Sequence, residues 1–265
     1  MRLTTIFLFG SLLGSAACLR GNASGNIDSA ESAIDSSDSV SSEGDLVAAN
    51  VDGASTAGLT ALTDDELALS IVANIHAKWP NACAQVTTNG AEITVVYNDC
   101  SGPRGLVHVT GTLDLTVSLD PTGAVEIHAT GTGVEVNKAV LDIDADAVYT
   151  VSGSTHSLAV TSKGSGTGPR GNDIDHEGNY TLTWDPSTTC GSIAGHWQTD
   201  FTSSTATAER SNDLSLSKCV GACPSGTLTH HFLGGASVTV TFDGSATATW
   251  TASTGGSGSV ALACH

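Results

Sequence analysis

A strict alternation of apolar and polar residues runs through the middle of the chain and constrains its fold more than any other feature. Between Val107 and Leu119, the residues Val107, Val109, Leu113, Leu115, Val117 and Leu119 share one parity with Gly111, while His108, Thr110, Thr112, Asp114, Thr116 and Ser118 take the other. Successive side chains of an extended strand point to opposite faces, so the pattern predicts a long strand with one buried and one wet face. The same period returns at Ile93, Val95 and Tyr97, at Leu141 through Val151, at Leu158 and Val160, and at Tyr180, Leu182 and Trp184. It returns again at Ile193, Trp197 and Phe201, at Val238, Val240 and Phe242, at Ala246, Ala248 and Trp250, and at Val260 and Leu262. About eleven or twelve strands with mostly short links favour a large antiparallel meander over any βαβ arrangement. The expected fold class is therefore mainly β, and the sheet must hide its apolar face by closing into a barrel, folding into a sandwich, or curving around the helix of residues 63–79 described below.

Turn chemistry sets the expected registers. Asn89-Gly90 is a tight-turn signal, and Asp120-Pro121-Thr122-Gly123 fits a type I turn with Gly in the left-handed position. A three-residue loop there pairs Leu119 with Val125 and Val117 with Ile127, and puts Thr116 opposite His128 and Ser118 opposite Glu126 on the wet side. A change of apolar phase at Gly131-Thr132-Gly133 marks a bulge, and Gly178-Asn179 reads as a further hairpin.

One helix precedes the strands. Thr63-Asp64-Asp65-Glu66 has capping-box spacing, Leu67, Ile71 and Ile75 repeat at four-residue intervals, Leu69 and Val72 widen the stripe, and Trp79-Pro80 closes it. The helix is expected over 63–79, packed on the sheet of a single β-rich domain spanning 63–265.

Ahead of it, Met1-Arg2, an apolar run from Leu3 to Leu13 and the small residues Gly14-Ser15-Ala16-Ala17 have the layout of a signal peptide over 1–17. Ser15-Ala16-Ala17-Cys18 resembles the lipobox of bacterial lipoprotein precursors. That resemblance implies cleavage before Cys18, acylation of its sulfur and amino group, and a membrane anchor. Leu19 in place of Asp implies, within the same family, transport to the outer membrane. Residues 18–62 carry scattered single apolar residues and seven carboxylates (Asp28, Glu31, Asp35, Asp38, Glu43, Asp45 and Asp52), which reads as a disordered acidic tether. The segments YNDCSGPRGLV, GSGTGPRG, YTLTWD and VTVTFDGSATATW are similar to uncharacterised predicted lipoproteins of Gram-negative bacteria, a resemblance that implies no activity.

Nine Lys and Arg against 27 Asp and Glu exclude a nucleic-acid binder, because the field repels phosphate backbones. Setting Cys18 aside leaves six cysteines, an even number suited to disulfides in an oxidising compartment. Cys83 with Cys100, Cys219 with Cys223, and Cys190 with Cys264 is one pairing among fifteen possible. A zinc site from Cys219, Cys223, His230 and His231 is the alternative use of those thiols.

No nucleophile elbow, HExxH helix, phosphate loop or dinucleotide fingerprint is present, which leans away from an enzyme. Asp173, Asp175 and Glu177 before Gly178 match the first half of a calcium loop, but Trp184 stands where its bidentate Glu belongs. Asp142, Asp144 and Asp146 alternate on one strand face, too widely spaced for a single ion. GPRG occurs twice, and Arg104 and Arg170 offer forked donors for an anionic ligand or a partner carboxylate. The expected function is a non-enzymatic envelope lipoprotein whose β domain has a structural or binding role toward an unknown protein or glycan. A carrier for an apolar ligand inside a curved sheet and a metal-dependent hydrolase are the alternatives.

Overall fold

In the computed structural model the described residues are 43–51, 62–79, 83–101, 108–136, 139–168, 173–185, 187–188, 190–202, 207–219, 222–232 and 235–261. Cys18, Arg104, Arg170 and Cys264 lie outside them, as do the expected signal peptide and most of the expected tether.

Thirteen strands form one antiparallel sheet in which every strand pairs with its sequence neighbours, from β1 (Ala84–Asn89) to β13 (Gly256–Ala261), and the sheet does not close. In chain order the strands between them are β2 (Glu92–Ser101), β3 (His108–Leu119), β4 (Val125–Val136), β5 (Ala139–Ser152), β6 (Thr155–Thr167) and β7 (Asp173–Asp185). They continue with β8 (Cys190–Thr202), β9 (Thr207–Cys219), β10 (Ser225–Phe232), β11 (Ser237–Asp243) and β12 (Thr247–Ala252).

The period-two pattern becomes the two faces of this sheet. In β5, Ala139, Leu141, Ile143, Ala145, Ala147 and Tyr149 are buried, and Asp142, Asp144 and Asp146 are exposed between them. The register expected at the β3–β4 hairpin is the one observed, with Leu119 opposite Val125 and Thr116 opposite His128. Asp120 anchors the turn by accepting from the backbone of Thr122 and of Ala124, each at 2.8 Å, and Gly123 sits at φ 87°. The expected bulge is present as a register shift between Gly131 and Val134.

Two strands, β9 and β10, have no counterpart among the expected ones. Leu214 and Leu216 are the buried markers of β9, and in β10 the inward series runs Leu228, His230, so a buried imidazole replaces the next apolar residue and hides the alternation. The hairpin expected at Gly178-Asn179 is absent. Gly178 lies in the middle of β7, opposite Ser162 and Trp197, and a Cβ there would collide with the backbone and Cβ of Trp197. Its missing side chain serves strand packing and not a turn.

The helix expected at 63–79 is α2, Asp64–Lys78 (residues 43–51 form α1, described below), with Thr63 as N-cap and Trp79 as C-cap. Thr63 N–H donates to Glu66 Oε2 at 2.9 Å, and Glu66 N–H returns a bond to Thr63 Oγ1 at 3.3 Å, completing the capping box. Leu67, Ala68, Ile71 and Ile75 are buried where α2 packs on β1 to β3. Leu69 does not widen the stripe as expected; it points outward and is 59 % exposed.

The principal correction concerns the tether. Residues 43–51, expected within the disordered acidic segment, form a helix, α1, in which every residue is buried. Gly44 lies against Tyr180 and Leu182 on β7, and Asn50 bonds Tyr97 on β2. β2 and β7 are five strands apart, about 24 Å along a flat sheet. For both to reach residues 44 and 50 of one helix, roughly 9 Å apart along its axis, the sheet must curl, and a curled sheet can bury a helix on all sides. The acidic composition misled because carboxylates are read as solvated unless a partner is known, and here the partner stands 133 residues away.

Cys83–Cys100 joins the flanks of the β1–β2 hairpin as expected, but Cys190 pairs with Cys219 and not with Cys264. The cause is register, since β8 and β9 place Cys190 directly opposite Cys219 with Cα atoms 4.0 Å apart. Cys223 is disulfide-bonded as well.

Candidate functional site

Among the described residues, four of the seven buried polar or charged ones gather around α1, the others being Ser162, Thr199 and His230 on the strands. Glu43, Asp45, Asn50 and His176 are each at most 4 % exposed. Parity places His176 there: on β7 it is inward with Ile174, Tyr180, Leu182 and Trp184, while Asp173, Asp175 and Glu177 are outward. Glu43 Oε2 lies 2.8 Å from His176 Nε2, both side chains being at most 1 % exposed, and Tyr180 Oη donates to Glu43 Oε1 at 3.5 Å. At the other end of the helix, Tyr97 Oη donates to Asn50 Oδ1 at 2.6 Å, and Asn50 Nδ2 donates back to Leu46 O at 2.7 Å.

Two absent side chains make the approach possible. A Cβ on Gly44 would lie 2.7 Å from Tyr180 Cε2, and one on Gly164 would lie 2.7 Å from His176 Cε1. Burial pushes the Tyr180 phenol well above its ordinary pKa, and the carboxylates of Glu43 and Asp45 push it further. Burial likewise raises Tyr97 far above the usual phenol range, with the bond to Asn50 opposing it. Both phenols are therefore neutral donors at physiological pH. His176 Nδ1 is buried with no hydrogen-bond partner among the described residues.

The outer face carries the remaining candidates. A recess of about 570 Å³ spans β4 to β8, lined by Asp142, Asp144, Lys163, Gly164, Asp175, His176, Glu177 and Gln198 among others. The β5–β6 ladder skips the pairs Ile143–Gly164 and Asp144–Lys163 at this level, so the recess reaches the level of His176. A second recess of about 630 Å³ lies beside it, over Glu126, His128, Asp146, Thr161 and Asn179.

Histidines on this face are held by carboxylates of neighbouring strands. His128 Nδ1 lies 2.9 Å from Asp146 Oδ1. Asp213 bridges two rings, at 2.8 Å to His196 Nδ1 and 3.0 Å to His231 Nε2. The hydrogen bond from His196 is the main cause holding Asp213 below the usual carboxylate range, with His231 adding to it.

Asp175 and Glu177 of the expected calcium set line the first recess, but Asp173 does not; its carboxylate instead accepts from Thr167 Oγ1 at 3.4 Å. No group of three His, Cys, Asp or Glu suited to a metal occurs among the described residues. Extended backbone explains this for the calcium set, since alternate residues of a strand are spread along it and no loop gathers them. Asp142 binds the bulge through Gly133 N–H at 2.7 Å, so the Asp142, Asp144, Asp146 row has structural work. The zinc alternative fails because Cys219 and Cys223 are disulfide-bonded and His230 faces the core while its neighbour His231 faces out. Arg104 and Arg170 fall outside the described residues.

Fold and site together define a class of all-antiparallel β protein, a single open sheet curled on a buried helix with a buried polar pair at one end of that helix. Comparison with family models, with curated proteins and with solved structures finds no match to this chain.

Proposed function

We propose that the chain is an exported cell-envelope protein, anchored by acyl chains on Cys18, whose β domain is a rigid binding or structural module for a protein or glycan. The observation that supports this most directly is the use of cysteine. Cys83, Cys100, Cys190, Cys219 and Cys223 are all disulfide-bonded, a state that persists in oxidising compartments and not in a reducing cytosol. Of the two remaining cysteines, Cys18 and Cys264, it is Cys18 that directly follows the small residues of an export signal.

For the binding role, the support is the outer face. Its recess over β4 to β8 combines four carboxylates with Lys163 and Gln198, a donor and acceptor set suited to hydroxyl-rich or cationic groups. A net charge of −18 favours partners of positive or neutral surface.

Mass spectrometry of the mature N-terminus in the native host, with metabolic labelling by a palmitate analogue, tests the address. An acylated Cys18 at the new N-terminus is expected, and label is lost in Cys18→Ser. A free Cys18 thiol, or cleavage at another position, would remove the anchor. Retention of the Cys18→Ser protein on isolated cell-wall glycan, compared with the same protein carrying Asp144→Ala and Glu177→Ala, tests the recess.

A further inference from the structure

We propose that the space filled by α1 is a ligand chamber, that α1 is its displaceable occupant, and that the ligand is a medium-chain carboxylate of the fatty-acid class. The chamber wall is a receptor for such a molecule. At one end, His176 Nε2 at 2.8 Å and Tyr180 Oη at 3.5 Å close on a carboxylate. Beyond it comes an apolar sleeve, now occupied by Leu46, Val47, Ala48, Ala49 and Val51, each at most 2 % exposed. From Glu43 to Asn50 the helix advances roughly 10 Å, the reach of a medium-length acyl chain. Glu43 thus presents a carboxylate head and Leu46 to Ala49 with Val51 an apolar body, Asp45 adding a second buried carboxylate near the head and Asn50 a polar group at the far end, and a free carboxylate amphiphile meets the same His176, Tyr180 and apolar wall.

Several features make α1 the removable part. The described residues of α1 include Gly44, Val47, Asn50 and Val51, all weak helix formers, so helix propensity contributes little here and the chamber walls hold this segment in shape. Both described disulfide pairs lie in or beside the sheet, within β1–β2 and between β8 and β9, and neither includes α1. A buried carboxylate carries a desolvation cost that an apolar residue in the same place would avoid. The recess on the outer face also reaches His176, which brings solvent-accessible space to the polar end of the chamber.

An intramolecular occupant scales apparent affinity down to the fraction of molecules in which it is undocked. Ala48→Pro in the full chain breaks α1 by removing an interior N–H and clashing with the preceding turn, without touching the sheet. Binding is read by the fluorescence of a dansyl-labelled undecanoic acid and its displacement by dodecanoic acid or its methyl ester. Ala48→Pro should bind the probe at least about tenfold more tightly than the wild type. Dodecanoic acid should displace it and the ester should not, and adding His176→Leu should abolish that preference. Far-UV circular dichroism accompanies each variant. Loss of the β signature in Ala48→Pro would make α1 an indispensable core element and overturn the proposal. A folded Ala48→Pro with affinity unchanged from wild type, or one that takes acid and ester equally, would overturn it too. None of these results depends on whether Cys18 is acylated.

Discussion

Replacing His176 by Leu removes one partner of a pair whose side chains are at most 1 % exposed. Glu43 is then left in the core with one contact, the 3.5 Å bond from Tyr180. Truncating one member of a buried charged pair typically costs about 3 to 5 kcal/mol, because the remaining charge keeps its desolvation penalty. Glu43→Leu leaves instead an imidazole whose donor has lost its acceptor, at about 1 to 3 kcal/mol. The double variant removes both polar groups and fills the space with methyl groups, which is close to neutral in comparable cases. The two single losses should therefore exceed the double by at least about 2 kcal/mol. Equilibrium unfolding in guanidinium chloride, followed by tryptophan fluorescence under non-reducing conditions, measures all three. With a slope of about 4 kcal/mol per molar, His176→Leu lowers the midpoint by roughly 1 M. Strict additivity would refute a coupled pair, and an unaltered midpoint in Glu43→Leu would return residue 43 to a solvated acidic segment.

Non-reducing peptide mapping should recover Cys83 joined to Cys100 and Cys190 joined to Cys219, whereas a Cys190 to Cys264 peptide would overturn the pairing. Closing segments of 17 and 29 residues, these bonds stabilise by about 3 and 3.5 kcal/mol on the chain-entropy account, losses expected in C83S/C100S and C190S/C219S. Because the Tyr97 and Tyr180 phenols are raised in the fold, the unfolded chain loses their protons first. Stability is therefore complete below the ordinary phenol pKa and falls as pH rises beyond it. Spectrophotometric titration should show these two of the three tyrosines ionising only on unfolding, and their free titration in the native protein would contradict their burial. Asp213, held low chiefly by His196, contributes stability that is present above the unfolded carboxylate pKa and lost as pH falls through the lower folded value. Carboxyl carbon NMR should show that value returning toward the ordinary range in His196→Ala, and an unmoved titration would rule out the hydrogen bond as its cause.

Much of the sheet was legible because strand patterning is local. The hairpin at Asp120 to Gly123 needed only a turn residue, a glycine and the parity of its flanks, and its register was as expected. The capping box at Thr63 is likewise contained in four residues. β9 and β10 were missed where inward positions carry few apolar residues, and Gly178 was misread because a glycine vacated for Trp197 looks in sequence like a turn.

Of the candidate site, His176 stood in plain view within GNDIDHEGNY, but the carboxylates around it drew attention to calcium. Its parity with Ile174, Tyr180 and Trp184 was the available signal for an inward histidine. No local signal could supply its partner. The sequence by itself determined which face of each strand is apolar, where several chain reversals fall and how one helix begins, since these depend on residues a few positions apart. Only the tertiary structure decided that residues 43–51 enter the core, that Cys190 meets Cys219 and that Glu43 meets His176. The physical reason is the curl of the sheet and the register of its strands, which join residues far apart in the chain and turn an acidic segment that reads as solvated into a buried helix on which the open sheet curls.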